Sequence, residues 1–132
     1  MDLKAMEARI NELENQVAKL RDLEEINRVQ KAYGFYLEHW MYNEIIDLFA
    51  DSPDVTLNLM VGIFLGKEGV RRYFSGMNEM TQDREFLHQI MQLSGVVDIS
   101  PDGKTAQGRW YGFGAVAMPR GDGVYQILTS GI

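Results

Sequence analysis

The chain contains no cysteine, which excludes disulfides, a thiolate nucleophile and every thiolate metal site, and fits a reducing compartment. It has only two histidines, and no His/Glu pair stands at the helical spacing of a zinc site, so no metal is expected. Lys and Arg number 13 against 19 Asp and Glu, a net charge of −6, and the tightest basic group is Arg71–Arg72. Phosphate binding needs a basic patch, so the charge argues against a nucleic-acid partner and none is expected. The longest apolar stretch, "LMVGIFLG", is far short of the roughly 20 residues that span a bilayer. The N-terminus is charged from Asp2 onward and lacks the apolar run of a signal peptide. A soluble cytoplasmic protein without membrane contact is expected.

What is present is enough for one packed domain. The 132 residues are 45% hydrophobic, which permits a real core and argues against disorder. Leu3, Met6, Ile10, Leu13, Val17 and Leu20 alternate at spacings of three and four, a heptad seam flanked by charge. Its stripe is too narrow for an ordinary core face. Residues 1–22 are therefore expected to pair with a copy in another subunit, giving a homo-oligomer (dimer or trimer), or else to fold back on their own domain. The stripe then changes register through Leu23, Ile26, Val29 or Gln30, Tyr33, Leu37 and Trp40 or Met41, where the helix should begin to cover a core. A second helical stretch, "MYNEIIDLFA", ends at Pro53 and the turn-forming aspartates of "DSPD".

Beyond that point the pattern turns to β. "VTLNLMV" and "IFL" read as strands meeting at Gly62, and "GKEGVRRYFSGM" as a helix with Val70, Tyr73, Phe74 and Met77 on its apolar face. "NEMTQDRE" reads as a polar loop. "FLHQIMQLSGVVDI" is a long strand bulged at Ser94–Gly95, and "SPDG" turns it into "KTAQGRWYGFGAVAM". "PRGDG" turns again, and "VYQILTSGI" opens a last strand. This is an α+β pattern, helices packed on one face of a curved antiparallel sheet. Because the sequence stops at Ile132 with no hairpin to cover that strand, an added segment or another subunit is expected at its edge.

Familiar motifs fail on inspection. "GIFLGKEG" has one residue too few between its glycines for a phosphate loop, and Glu68 replaces the Ser or Thr that holds magnesium. The glycines from Gly112 to Gly123 make no dinucleotide fingerprint, and no serine sits in a nucleophile elbow. What remains is proton-moving groups at apolar sites. "KAYGFYLEHW", residues 31–40, sets Tyr33, Tyr36, Glu38 and His39 among aromatic residues, and His88 lies in a strand of apolar and amide residues. A carboxyl and an imidazole so placed can share a proton. Each has a plainer reading: a strand histidine is commonly structural, a glutamate near a helix end solvated, and aromatic residues at helical spacing core. Tyr33 and Glu38 are also about 140° apart around an ideal helix, so they share a cavity only if it is wide or the helix ends near Glu38.

The order of the segments "EEINRVQKAYGFYLEHWMYNEIIDLFADS", "GIFLGKEGVRRYF", "FLHQIMQLSGVVDISPDGKTAQGRWYGFG" and "GVYQILTSGI" resembles the SnoaL-like branch of the nuclear-transport-factor-2-like superfamily. That branch includes scytalone dehydratase, polyketide cyclases and bile acid dehydratases. The resemblance runs over residues 23–132 and implies a cone: a strongly curved sheet closed by helices around an apolar pocket. In dehydratase-like members the first helix carries a Tyr and, five residues on, an Asp at its end; Tyr33 and Glu38 stand at those positions. The family's strand histidine matches His88. The resemblance implies that carboxylate and histidine act as an acid/base pair while the tyrosine holds a substrate oxygen.

Glu38 departs from the pattern by one methylene. Relatives also continue past "GVYQILTSGI" with a hairpin and a last strand, which this sequence lacks. Where steroid isomerases place their base, this chain has Leu57 or Asn58, neither of them a base. The expected function is a cofactor-free lyase, dehydratase- or cyclase-like, acting on an apolar polycyclic, aromatic or steroid-like molecule. Tyr36, Asn58 and Trp110 are expected to line its pocket, Trp110 because it shares a strand face with Ala106, Gly108 and Gly112. The competing expectation is a non-catalytic ligand-binding or dimerisation module of the same fold.

Overall fold

A computed structural model describes residues 2–80, 86–119 and 125–131, with the side chains of 79–80, 118–119 and 125–131 excepted. Helix α1 runs from Leu3 to Glu38, 36 residues and about 54 Å at 1.5 Å per residue. Asp2 starts it, its side chain accepting the Ala5 N–H at 2.7 Å. Its end is equally specific. Met41 N–H donates to the Tyr36 carbonyl at 2.9 Å and Trp40 N–H to that of Leu37 at 3.3 Å, the paired bonds of a Schellman turn. Trp40 occupies the left-handed position of that turn, at φ 57°, where glycine is usual and a bulky residue costs about 1–3 kcal/mol. The helix therefore stops at Glu38 in spite of its residue types, and packing must hold the turn.

Helix α2 (Tyr42–Asp47) follows at once. Strands β1 (Thr56–Leu59) and β2 (Gly62–Leu65) form a hairpin across Met60 and Val61. Helix α3 spans Gly66–Met80, so the polar loop expected from Asn78 begins later; its remainder, residues 81–85, lies outside the described residues. Strands β3 (Leu87–Ile99) and β4 (Ala106–Pro119) pair antiparallel, with a break in register between Leu93 and Val96. The bulge thus falls where Ser94–Gly95 predicted it, and Ser94 takes the left-handed φ of 52° that an extra residue demands. The Ser100 hydroxyl closes the β3–β4 turn, donating to Asp102 and accepting the Thr105 N–H. Strand β5 (Tyr125–Gly131) pairs with β4; the turn expected at "PRGDG" lies largely outside the described residues. The described strands form two sheets, the β1–β2 hairpin and β3–β4–β5.

The core gathers at one end of α1. Leu37, Tyr42, Ile45, Ile46, Val70 and Phe74 are buried together, with Tyr33, Tyr36, Leu57 and Ile90 packed against them. The residue stripe settles its own alternatives. Val29 is exposed, whereas Gln30 faces β3 and donates to Gln92 at 2.8 Å; Trp40 is 39% exposed and Met41 half-buried. Gly34 explains itself at the same contact: a Cβ there would stand 3.2 Å from both Gln92 Cγ and the Ile90 carbonyl. The helix approaches the strand backbone too closely for any larger residue to sit freely.

The other end of α1 has no such cover. Leu3, Met6, Ile10, Leu13, Val17 and Leu20 are between 44% and 78% exposed. The seam does not fold back on its own domain, and the boundary drawn at residue 22 falls within one unbroken helix.

Candidate functional site

Glu38 ends α1, half-buried, and its Oε1 accepts the side-chain amide of Gln89 at 2.8 Å. Gln89 is the neighbour of His88 on β3. The two-residue period of a strand sends Gln89 to one face and His88, with Ile90 and Gln92, to the other. No hydrogen bond joins Glu38 directly to His88 among the described residues. His88 is half-buried opposite Val116, its ring 5.9 Å from that of Phe86. Its Nδ1 is enclosed with no partner. Burial lowers its pKa from the ordinary 6.5, so at neutral pH the ring is uncharged and has a nitrogen able to accept a proton.

Tyr33 packs against the core with its ring 6.4 Å from Phe74. Its pKa is pushed up to about 12, first by burial and then by Tyr73, so its hydroxyl remains a donor at any physiological pH. Tyr36 lies half-buried against the same core. Tyr33, Tyr36 and Glu38 lie on the last turns of α1, where the helix meets the core and β3, while His88 stands at the start of β3 with Phe86 as its ring neighbour.

The other two expected pocket residues lie elsewhere. Asn58 is exposed, because alternation along β1 turns its neighbour Leu57 to the core and Asn58 to the outside. It is not brought to the site. Trp110 is half-buried and lies flat over Gly95 and Gly108, whose missing side chains leave its indole a bed: a Cβ on either glycine would collide with the ring. With Ser94, Val96, Arg109 and Tyr111 it lines a cavity of about 390 Å³ at the bulge. His39, prominent in the sequence, is exposed and stacked on Phe35 at 4.1 Å, its Nδ1 2.8 Å from the Phe35 carbonyl. It finishes the helix and takes no part in the site.

Sequence reasoning missed Gln89 and Tyr42. The amide-rich run "HQIMQ" was a signal for the first, since amides in an apolar strand need partners. Tyr42 read simply as a helix residue; only the structure shows its hydroxyl buried without a partner. Among the described residues no three His, Asp or Glu side chains cluster as metal ligands, and no helix is long and apolar enough to cross a membrane.

Helices packed on antiparallel strands, with Tyr33, Tyr36 and Tyr42 against one buried cluster, make this an α+β domain. The model of a family described as the SnoaL-like domain matches residues 18–131, and the chain belongs to that family, within the nuclear-transport-factor-2-like superfamily. Domains of this fold bind small molecules and are often cyclase- or dehydratase-like. None of the curated proteins compared with the chain matches it.

Proposed function

We propose that the protein is a cofactor-free lyase, dehydratase- or cyclase-like, acting on an apolar polycyclic, aromatic or steroid-like molecule by general acid/base catalysis. The supporting observation is the helix-end carboxylate of Glu38 tied by Gln89 to the stretch of β3 that presents the uncharged, unpartnered His88. In this reading the His88 ring takes a proton from carbon, the C–H electrons form the new double bond, and the substrate hydroxyl leaves with the returned proton as water. Glu38, held to the same stretch of β3 by Gln89, supplies the negative charge that favours the imidazolium, and Tyr33 donates to a substrate carbonyl. Glu38→Gln and His88→Ala should each abolish turnover of hydroxylated polycyclic ketones while leaving far-UV circular dichroism unchanged. Wild-type rates in both variants would remove the lyase reading and leave a binding module.

The exposed seam on α1 supports assembly through the lead helix, which is also the strongest argument for the module reading. Ile10 and Val17 at one heptad position with Leu13 and Leu20 at the other favour two strands over three. Sedimentation equilibrium should give a dimer, and Ile10→Lys with Leu13→Lys a folded monomer. The absence of cysteine is consistent with a cytoplasmic setting.

A further inference from the structure

The break in register on β3 leaves Ser94 and Gly95 opposite one residue of β4, Trp110, framed by the pairs Leu93–Tyr111 and Val96–Arg109. A bulge of this kind bends its strand and re-aims the side chains around it. Here it opens a space: Ser94, Val96, Arg109, Trp110 and Tyr111 line a cavity of about 390 Å³. That lies toward the small end of the volumes that hold small molecules, roughly 300–1,000 Å³. The cavity shares no lining residue with the Tyr33, Tyr36, Glu38 and His88 set.

Its wall is of two kinds. The indole of Trp110, laid over Gly95 and Gly108, is joined by Val96 and the Tyr111 ring, 59% and 64% exposed, as apolar surface. Beside these stands one cation. Arg109 is exposed and belongs to none of the ion pairs among the described residues, which are Arg9–Glu12, Lys67–Asp47 and Arg71–Glu68. Asp98, the one acid on β3, stands in register with Gln107 instead. A guanidinium is charged at every physiological pH and presents paired donors that match a carboxylate. One cation on an apolar wall suits a flat monoanion. A phosphate ester carries more charge and calls for a cluster of cations that this lining does not contain.

We propose that the bulge cavity is a second ligand site, taking a small aromatic carboxylate of one or two rings. The ring lies against the Trp110 indole and Val96, and Arg109 meets the carboxylate. The site goes beyond the lyase reading and does not depend on it, since no member of the acid/base set lines it.

The full chain has two tryptophans, so nitrogen-15 spectra hold two indole N–H signals, and Trp40→Phe leaves that of Trp110. 2-Naphthoate and its neutral isostere 2-naphthamide are titrated by calorimetry and followed at that signal. The acid should bind more tightly than the amide and shift the Trp110 signal. Arg109→Gln should weaken the acid about fivefold, as loss of a half-open ion pair does, and leave the amide unchanged. His88→Ala should alter neither affinity. No binding of the acid, equal affinity for acid and amide in the wild type, or an Arg109→Gln variant that keeps full affinity or loses both ligands equally overturns the proposal. So does binding that leaves the Trp110 signal in place or is lost in His88→Ala, a result that would carry the acid to the α1 end and count for the site there.

Discussion

The two ends of α1 share one backbone and almost nothing else. At residues 3–20 its apolar side chains face outward as a narrow seam; at residues 30–38 the same helix buries Gly34 and Leu37, sets Tyr33 against Phe74 and ties two side chains to β3. Helical propensity is lower at residues 30–38, where Gly34 and three aromatic residues stand, so propensity does not explain why that end is the one that packs. Width of the apolar face does. A two-position stripe can be covered only by another helix, whereas the wider face from Tyr33 onward matches a sheet and two further helices.

The contrast yields graded expectations. The largest effect should come from Phe74→Ala, which removes a fully buried ring contacted by four other aromatic rings, those of Tyr33, Tyr42, Phe49 and Tyr73. Urea unfolding should show a loss of about 3–5 kcal/mol; the lead-helix double lysine variant should leave the same transition unchanged when measured as a monomer. A loss of comparable size from both would erase the distinction between the two ends. Next comes Gly34→Leu, which forces a side chain into the Gln92–Ile90 contact and should cost about 1–3 kcal/mol.

Two pH dependences sharpen the pocket end further. The folded-state pKa of His88 is lowered from 6.5 by burial, so the unfolded chain takes up the proton first. Stability should be full above 6.5, decline as pH falls below it, and decline less in His88→Gln. For the phenols the sign reverses. Tyr33 holds its proton to about 12 against an ordinary 10.0, so stability should be full below pH 10 and fall as pH rises beyond it, less steeply in Tyr33→Phe. The smallest effect belongs to the lead helix. The exposed Arg9–Glu12 pair, 2.6 Å apart, should be worth less than about 0.5 kcal/mol, and Arg9→Ala should barely shift the melting curve.

Much of this was legible in residue order. The heptads, the β1–β2 hairpin at Gly62, the bulge at Ser94–Gly95 and the apolar face of α3 all follow from local spacing, because each is decided by neighbours in sequence. The helix end at Glu38 was legible only through the family resemblance, not from local spacing. Nothing in "LEHWMY" marks Trp40 as a left-handed residue; tertiary packing imposes it. Asn58 failed for a related reason: alternation fixes that it and Leu57 face opposite ways, but not which of them faces in. The role of Gln89 depended on a contact 51 residues away in sequence, beyond the reach of any local pattern.

The bed of glycines under Trp110 has a practical consequence. An indole laid flat on bare backbone at Gly95 and Gly108 cannot change rotamer without leaving the strand surface, so its surroundings, and hence its emission colour, are fixed by the bulge cavity. Trp40, the only other tryptophan, is 39% exposed at the helix end. With Trp40→Phe the protein becomes a single-emitter optical gauge, reporting through its own fluorescence whether anything has entered the space beside β3 and β4.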